Sequence, residues 1–282
     1  MRKLTRSAKK SYERDVVSQI KVNSKAFWHY AQSKMKSRVR IPNLDTPSGG
    51  IAEGYAEKSE VLADFFSSVF TLEPNGDLTQ EPQRSDKTIN SCFITTELVS
   101  KKLGGLKPSK SPGPDGIHPR VLRELKDILS KPLAIIFNYS LETGTLPKDW
   151  KRAVISAIYK KGSKSSPGNY RPVSLTSVVG KVMESIIRDK INSHMIENKL
   201  YSPRQYGFIS GRSTTLQLLK VLDMWTQILE KGGSVDVVYC DFIKAFDKVP
   251  HRRLLNKIES YGIKGRILDW VKSFLKDREQ RV

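Results

Sequence analysis

Asp241 is the residue whose position in this sequence points most directly to chemistry. It follows an apolar run rich in β-branched residues, 235–240, and an aromatic residue, Phe246, stands five positions later. Such a run predicts a strand, and a strand end holds a carboxylate rigidly. Mg²⁺ prefers oxygen ligands and often takes one or two carboxylates together with substrate phosphates. Alternatively, Asp241 caps the turn after the strand.

Phe246 indicates how a sugar could be selected beside such a metal. A ring under carbon 2 of the sugar leaves no room for a hydroxyl group and would favour deoxynucleotides by exclusion. The alternative is that Phe246 belongs to the hydrophobic core. Two other acids, Asp236 and Asp247, flank the same predicted strand, and Asp247 fits a turn or a helix cap.

Four basic residues cluster in a polar loop after a second predicted strand, 152–159. They are Lys160, Lys161, Lys164 and Arg171. Residues 173–175 are typical of a short returning strand, which would make a hairpin with a basic tip. Arginine gives planar bidentate contacts to phosphate and lysine gives a mobile point charge, so together they could position and neutralise a triphosphate. A solvated basic loop is the alternative.

Two glycine-bearing loops complete the candidate site. Residues 203–212 contain Gln205, Gly207 and Arg212, and glycine lets a backbone approach a ligand closely. An ordinary loop with a helix cap is the alternative. Residues 107–116 contain three prolines and two glycines, which exclude a helix or a central strand. They predict a stiff loop that is ordered against another part of the protein.

The elements that position these residues are mostly helical. Apolar periodicity and capping residues predict helices over 1–34, 51–70, 95–106, 119–144, 177–198, 213–231, 250–260 and 264–277. Residues 38–50 are typical of a loop and residues 71–93 of a polar linker. The sequence therefore predicts an α+β protein with a basic helical region and linker at 1–94 and a second domain at 95–282.

Charge and composition restrict the function and the compartment. The net charge is +20 in 282 residues, with 12 basic and 3 acidic side chains in residues 1–50. This imbalance favours nucleic acid as a partner, with a basic soluble surface as the alternative. Cys92 and Cys240 form neither a disulfide framework nor a zinc motif, and we expect Cys240 in the core. Without a membrane span or a secretory signal, we expect an intracellular protein, in the nucleus or a cytoplasmic ribonucleoprotein.

Five blocks, taken in order, resemble the reverse transcriptases of non-LTR (LINE-type) retrotransposons, most nearly those of the chicken-repeat and jockey kind. They are Ser-Pro-Gly-Pro-Asp-Gly-Ile at 111–117, Leu-Pro-Lys-Asp-Trp-Lys at 146–151, Asn-Tyr-Arg-Pro-Val-Ser-Leu at 169–175, Gln-Tyr-Gly-Phe through Gly-Arg-Ser-Thr at 205–214, and Asp-Phe-Ile-Lys-Ala-Phe-Asp onward at 241–251. Five blocks in the same order within residues 95–282 make this resemblance highly specific. Residues 1–70 resemble, more weakly, the segment between endonuclease and polymerase in such proteins.

The resemblance implies a right-hand polymerase that copies RNA into DNA. This chain would hold its mainly helical fingers, a small hairpin and the first strand of an incomplete palm. The implied partners are an RNA template, a DNA primer, deoxynucleoside triphosphates and Mg²⁺. The implied contacts are Asp241 and the backbone of Phe242 to metal, Lys160, Arg171, Phe246, Gln205 and Gly207 to the nucleotide, and Pro112, Gly113, Asp115 and Arg212 to the template.

Two later blocks of that family, Gly-x-Pro-Gln-Gly and the hairpin with Ala-Asp-Asp, are not among these 282 residues. Two-metal catalysis needs ions about 3.5–4 Å apart, and Asp241 alone does not hold such a pair. We therefore expect that this polypeptide does not polymerise by itself. Two alternatives stay open: a non-catalytic nucleic-acid-binding fragment, and a poorly folding fragment with an exposed palm strand.

Overall fold

A computed structural model describes residues 2–18, 20, 21, 24, 27, 28, 30, 31, 41–74 and 76–282. Its helices are α1 (Arg2–Ser18), α2 (Tyr55–Ser67), α3 (Thr96–Gly104), α4 (Pro119–Glu124), α5 (Lys126–Thr143), α6 (Lys148–Lys151), α7 (Val178–Glu197), α8 (Thr214–Glu230), α9 (His251–Ser260) and α10 (Gly265–Leu275). Its strands are β1 (Leu44–Asp45), β2 (Ile51–Ala52), β3 (Arg152–Tyr159), β4 (Tyr170–Thr176) and β5 (Glu279–Arg281). The mixed helix and sheet class is thereby confirmed.

The larger sheet is built on the predicted hairpin. β4 pairs antiparallel with β3 along its whole length, and β5 joins β3 in parallel, so that the strand order is β4-β3-β5. Ala153 and Ile155 are buried while Arg152 and Val154 are exposed. This alternation is typical of a sheet with one solvated face. The hairpin prediction is confirmed, and β5 is an addition that the sequence pattern does not predict.

Two hydrophobic clusters stabilise these elements. The larger one draws on α3, α5, α7 and α10, with Phe137, Met183 and Ile267 among its fully buried members. The smaller one packs α2 and the β1–β2 pair onto the larger sheet through Leu62 and Tyr170. The hairpin is therefore backed by residues from the amino-terminal region, and the domain boundary at residue 94 stays a prediction.

Helix ends fall where capping residues predict them. The side chain of Thr95 accepts a hydrogen bond from Leu98 N at 3.2 Å at the start of α3, and Ser177 and Ser213 cap α7 and α8 in the same way. Gly144 ends α5 in the left-handed region. None of the helices in the described part of the chain is long and apolar enough to cross a membrane.

A predicted loop and two predicted helices differ from the structure. The stretch predicted as a loop contains β1, which pairs with β2, and this pairing delays the start of the next helix to Tyr55. The helix predicted over 119–144 divides into α4 and α5 because the backbone of Leu125 (φ −96°, ψ 17°) leaves the helical region. Most of the second half of the helix predicted over 1–34 lies outside the described residues.

The predicted linker follows a fixed course along α9 and the turn behind it. We call its residues 71–74 and 76–90 the strap. Both carboxylate oxygens of Glu73 accept hydrogen bonds from the first turn of α9, from Arg252 N at 2.8 Å and Arg253 N at 3.2 Å. Further along, Ile89 and Ile263 pair in a parallel bridge. The strap therefore fixes where α9 begins.

A buried polar bridge joins α5 to α10 and gives a first testable prediction. The indole Nε1 of Trp270 donates to Ser140 Oγ at 3.1 Å, and Ser140 Oγ donates to Thr145 O at 2.6 Å. Ser140→Ala leaves a buried donor without its acceptor, so we expect it to lower the free energy of unfolding by about 1–3 kcal/mol. Urea unfolding measures this loss. Ser185→Ala removes only a hydrogen bond within one helix and serves as the control; an equal loss in both variants would contradict the bridge.

Candidate functional site

The segment around Asp241 departs from its predicted structure. Residues 233–242 adopt no regular secondary structure, and Val238 and Tyr239 are 86% and 85% exposed. The predicted strand is therefore wrong for this structure, because a strand needs a neighbour to bond its backbone and no described residue pairs with this run. Cys240 is exposed as well, so its predicted place in the core is also wrong.

Asp241 offers a single exposed carboxylate. It forms no hydrogen bond or ion pair with any residue that the structure describes, and the described residues contain no group of three or more His, Cys, Asp or Glu side chains that could hold a metal. One carboxylate and the neighbouring Phe242 carbonyl do not make the donor set of a two-metal site. The residues described here thus do not fit a metal pair by themselves.

Phe246 lies at the edge of a cleft and does not belong to the core. Its side chain is 79% exposed, and its ring meets the ring of Phe208 edge to face at 6.0 Å between centroids. The cleft has a volume of about 610 Å³ and is also lined by Ser174 and Thr176 of β4 and by Arg278. The core alternative for Phe246 is therefore excluded, and the ring is accessible to a ligand.

The loop that contains Gln205 and Gly207 is closed by Arg212. The guanidinium group of Arg212 donates to the carbonyl oxygens of Ser202, at 2.7 Å, and Gln205. Its charge lies over the ring of Tyr206 at 5.8 Å. Arg212 therefore shapes this loop directly, in addition to any contact that it makes with a ligand.

This closed loop comes close to the Asp241 segment. Gln205 Nε2 donates to Gly207 O at 3.0 Å, and the next residue, Phe208, has a left-handed backbone (φ 62°) that is uncommon outside glycine. Phe208 is the residue that contacts Phe246. The structure thus brings together two blocks that lie about forty residues apart in the sequence.

The predicted basic tip is present at the end of the β3–β4 hairpin. Arg171 pairs with Ile158 across the hairpin, and Lys160 N donates to Asn169 O at 2.8 Å just beyond the last pair. Both side chains are exposed, and neither they nor Lys161 form an ion pair with a described residue. Their charges are therefore available to an anion.

The proline-rich loop is ordered against the base of the same hairpin. A Cβ on Gly113 would overlap Thr176 O and lie 2.7 Å from Ser177 N, where β4 passes into α7. The loop is closed by Gly116 N donating to Gly113 O and by Ile117 N donating to the Asp115 side chain, both at 3.1 Å. Pro112 lies half-buried beside this contact. The loop has a packing role that its sequence pattern does not specify.

Sequence reasoning missed one contact that joins distant parts of the chain. The ammonium group of Lys244 lies 4.1 Å from the ring centroid of Phe65 on α2. Phe65 is one member of the apolar stripe of a predicted amphipathic helix. Its periodicity gives no sign that its ring also contacts a cation.

The comparisons with known proteins agree with the family that the sequence blocks resemble. A family model for reverse transcriptase (RNA-dependent DNA polymerase) matches residues 158–282. The probable RNA-directed DNA polymerase from transposon BS of Drosophila melanogaster is 28% identical over 269 residues, which are 90% of this chain and 29% of that protein. The RNA-directed DNA polymerase from mobile element jockey is 31% identical in Drosophila melanogaster and 30% identical in Drosophila funebris. These alignments cover 88% and 84% of this chain and 27% and 26% of those proteins.

The chain spans less than a third of the length of these curated relatives. The similarity nevertheless extends well to the amino-terminal side of the matched reverse transcriptase region, since it covers up to 90% of the chain. Residues 158–282 belong to the reverse transcriptase family, and most of the chain is similar to the RNA-directed DNA polymerases of these mobile elements.

Proposed function

We propose that this chain forms the nucleotide- and template-binding part of an RNA-directed DNA polymerase. The observation that carries the proposal is the hairpin tip with its free cations, Lys160 and Arg171, on the same sheet whose β4 lines the cleft of Phe246. The substrates would be deoxynucleoside triphosphates, with an RNA template and a DNA primer as partners. In a right-hand polymerase, the helices and hairpin would be the fingers and residues 235–241 the first palm strand.

Each residue has a proposed task that its surroundings allow. Lys160 and Arg171 would neutralise and orient the triphosphate. Phe246 would lie under the sugar and exclude a 2′-hydroxyl group, while Gln205 and Gly207 would line the nucleotide site behind Phe208. Pro112, Gly113, Asp115 and Arg212 would border the template through the loops that they order.

The metal is a separate part of the proposal. Mg²⁺ would be bound by the Asp241 carboxylate and the Phe242 carbonyl, and when bound it would neutralise phosphate charge. Because this donor set is too small for two ions, we propose that the 282 residues do not polymerise by themselves. Residues 235–241 would become a strand only once a neighbouring strand bonds their backbone.

A second candidate function is nucleic-acid binding without catalysis. It is favoured by the net charge of +20 and by α1, in which the described side chains are almost all exposed and include Arg6, Lys9 and Lys10. Binding of this kind would depend steeply on salt, since each neutralised phosphate releases counterions. It would not depend on Asp241.

Primer extension, together with a binding measurement, tests the proposed function. The chain, Asp241→Ala and the control Asp236→Ala are incubated with an oligo(dT) primer on poly(rA), Mg²⁺ and dTTP, and binding of the primer–template is measured in parallel. We expect binding by all three proteins and extension by none. Extension that is lost only in Asp241→Ala would contradict the inference that the metal site is incomplete. Failure of all three proteins to bind the primer–template would contradict the proposed function.

A further inference from the structure

Phe65 lies between two parts of the proposed nucleotide site, the turn after Asp241 and the basic tip of the hairpin. On one side, the Lys244 ammonium group stands 4.1 Å from its ring centroid, within the range of a cation–π interaction. On the other side, a Cβ on Gly168 would lie 3.4 Å from Phe65 Cζ, so the hairpin tip approaches the same ring closely. One aromatic side chain thus touches both the turn after Asp241 and the basic tip.

The turn that Phe65 contacts has few other attachments. Lys244 has a left-handed backbone (φ 52°), which is unfavourable for a residue with a side chain. Lys248 N donates to Lys244 O at 3.1 Å, and Thr71 Oγ1 of the strap donates to Lys248 O at 2.9 Å. Phe242 and Ile243 on the other side of Lys244 are 82% and 75% exposed. The ring of Phe65 therefore restrains a turn that is otherwise mostly in solvent.

Burial and charge at Lys244 agree with this restraint. Partial burial lowers the pKa of its ammonium group, while the neighbouring Asp247 carboxylate acts in the opposite direction. A cation–π interaction stabilises a partly desolvated ammonium group more than a fully hydrated one.

The other side of Phe65 is anchored in the protein. Phe65 packs against the smaller hydrophobic cluster, next to Phe66, which is 2% exposed and belongs to that cluster. The cluster also contains Ile155 and Tyr170 of the hairpin. The Phe65 ring is therefore attached to the sheet through this cluster. The helix that carries it, α2, lies outside residues 158–282, which match the family model.

We propose that Phe65 is a positioning residue that holds the Asp241 turn at a set distance from the hairpin tip. An aromatic residue of the amino-terminal region would then determine how Asp241 and Phe246 stand relative to Lys160 and Arg171. This inference rests on the proposed function only in that these four residues serve one nucleotide. The contact itself is independent of any ligand.

Limited trypsin digestion tests the contact. Trypsin must bind the Lys244 side chain to cleave the following bond, so the rate of cleavage reports how often this side chain leaves Phe65. Phe65→Leu keeps an apolar side chain on α2 but removes the ring, and we expect cleavage after Lys244 to become about tenfold faster. Leu72→Ala, a change at a side chain that is 93% exposed, should cleave like the unchanged protein.

Cleavage after Lys102, in α3, reports global opening in the same digestion. An unchanged rate at Lys244 in Phe65→Leu would overturn the proposal, and so would an equal acceleration at Lys102. Titration with dTTP and Mg²⁺ adds the functional readout, in which we expect Phe65→Leu to bind about tenfold more weakly. Equal binding by a variant with a released Lys244 would overturn the positioning role. No binding by the unchanged protein would contradict the proposed function and leave the digestion to decide on the contact.

Discussion

Replacing Gly262 with alanine is expected to lower the free energy of unfolding by about 4 kcal/mol. Gly262 turns the chain between α9 and α10 with a φ of +86°, a conformation that costs an L residue about 1–2 kcal/mol. A methyl group there would also overlap Lys87 O of the strap and lie 3.2 Å from its carbonyl carbon. The strap cannot withdraw freely because Ile89 N donates to Gly262 O at 2.9 Å, so overlap adds about 1–3 kcal/mol.

Gly232→Ala is the matched control for this substitution. Gly232 has a similar φ of +77°, but a methyl group there would have no atom within 4 Å. We therefore expect only the conformational cost, about 1 kcal/mol. Urea unfolding monitored by tryptophan fluorescence measures both variants, with the slopes compared to check that the denatured states are alike. Equal losses would mean that the strap does not press on the turn.

Alanine at Gly113 is expected to cost about 3 kcal/mol, the second of the two largest effects. Gly113 has no left-handed strain, so the whole cost arises from the overlap of its methyl group with Thr176 O and the approach to Ser177 N. These two atoms are held where β4 meets α7, since Thr176 pairs with Ala153 and Ser177 caps α7. The proline-rich loop is therefore expected to move instead of the hairpin.

Gly116→Ala in the same loop is the control for Gly113→Ala. Gly116 has a φ of +69° and no atom within 4 Å of the methyl position, so about 1 kcal/mol of conformational strain is expected. Both losses are measured by urea unfolding, and hydrogen exchange at the start of α7 reports whether the junction itself opens. A loss for Gly113→Ala no larger than that for Gly116→Ala would contradict the packing of the loop against the hairpin.

Much of the fold could be predicted from local signals. Thr95, Ser177, Ser213 and Gly144 mark helix ends because a hydroxyl cap or a left-handed glycine acts on backbone atoms within a few residues. The alternation of β3 predicts the hairpin, and the charges of Lys160 and Arg171 predict its basic tip. These signals depend on near neighbours in the sequence and are confirmed in the structure.

The candidate site could be predicted as a set of blocks but not as an arrangement. The edge-to-face pair of Phe208 and Phe246, and the contact of Phe65 with Lys244, each join segments that no periodicity connects. The pattern predicts that the proline-rich loop is ordered against another part of the protein, but it does not say that this part is the base of the hairpin. Contacts between distant segments depend on how whole elements pack, and the residue type at one position does not reveal which distant residue it will contact.

Local patterns in the amino-acid sequence predict the helix caps and the hairpin, and its ordered blocks resemble those of reverse transcriptases. The exposure of residues 235–241, and the contacts of the strap and α2 with the turns beside them, are visible only in the folded chain. The physical reason is that a helix satisfies its own backbone, whereas a strand depends on hydrogen bonds from another segment. A sequence can therefore favour a strand at Asp241, but only a neighbouring strand makes it one.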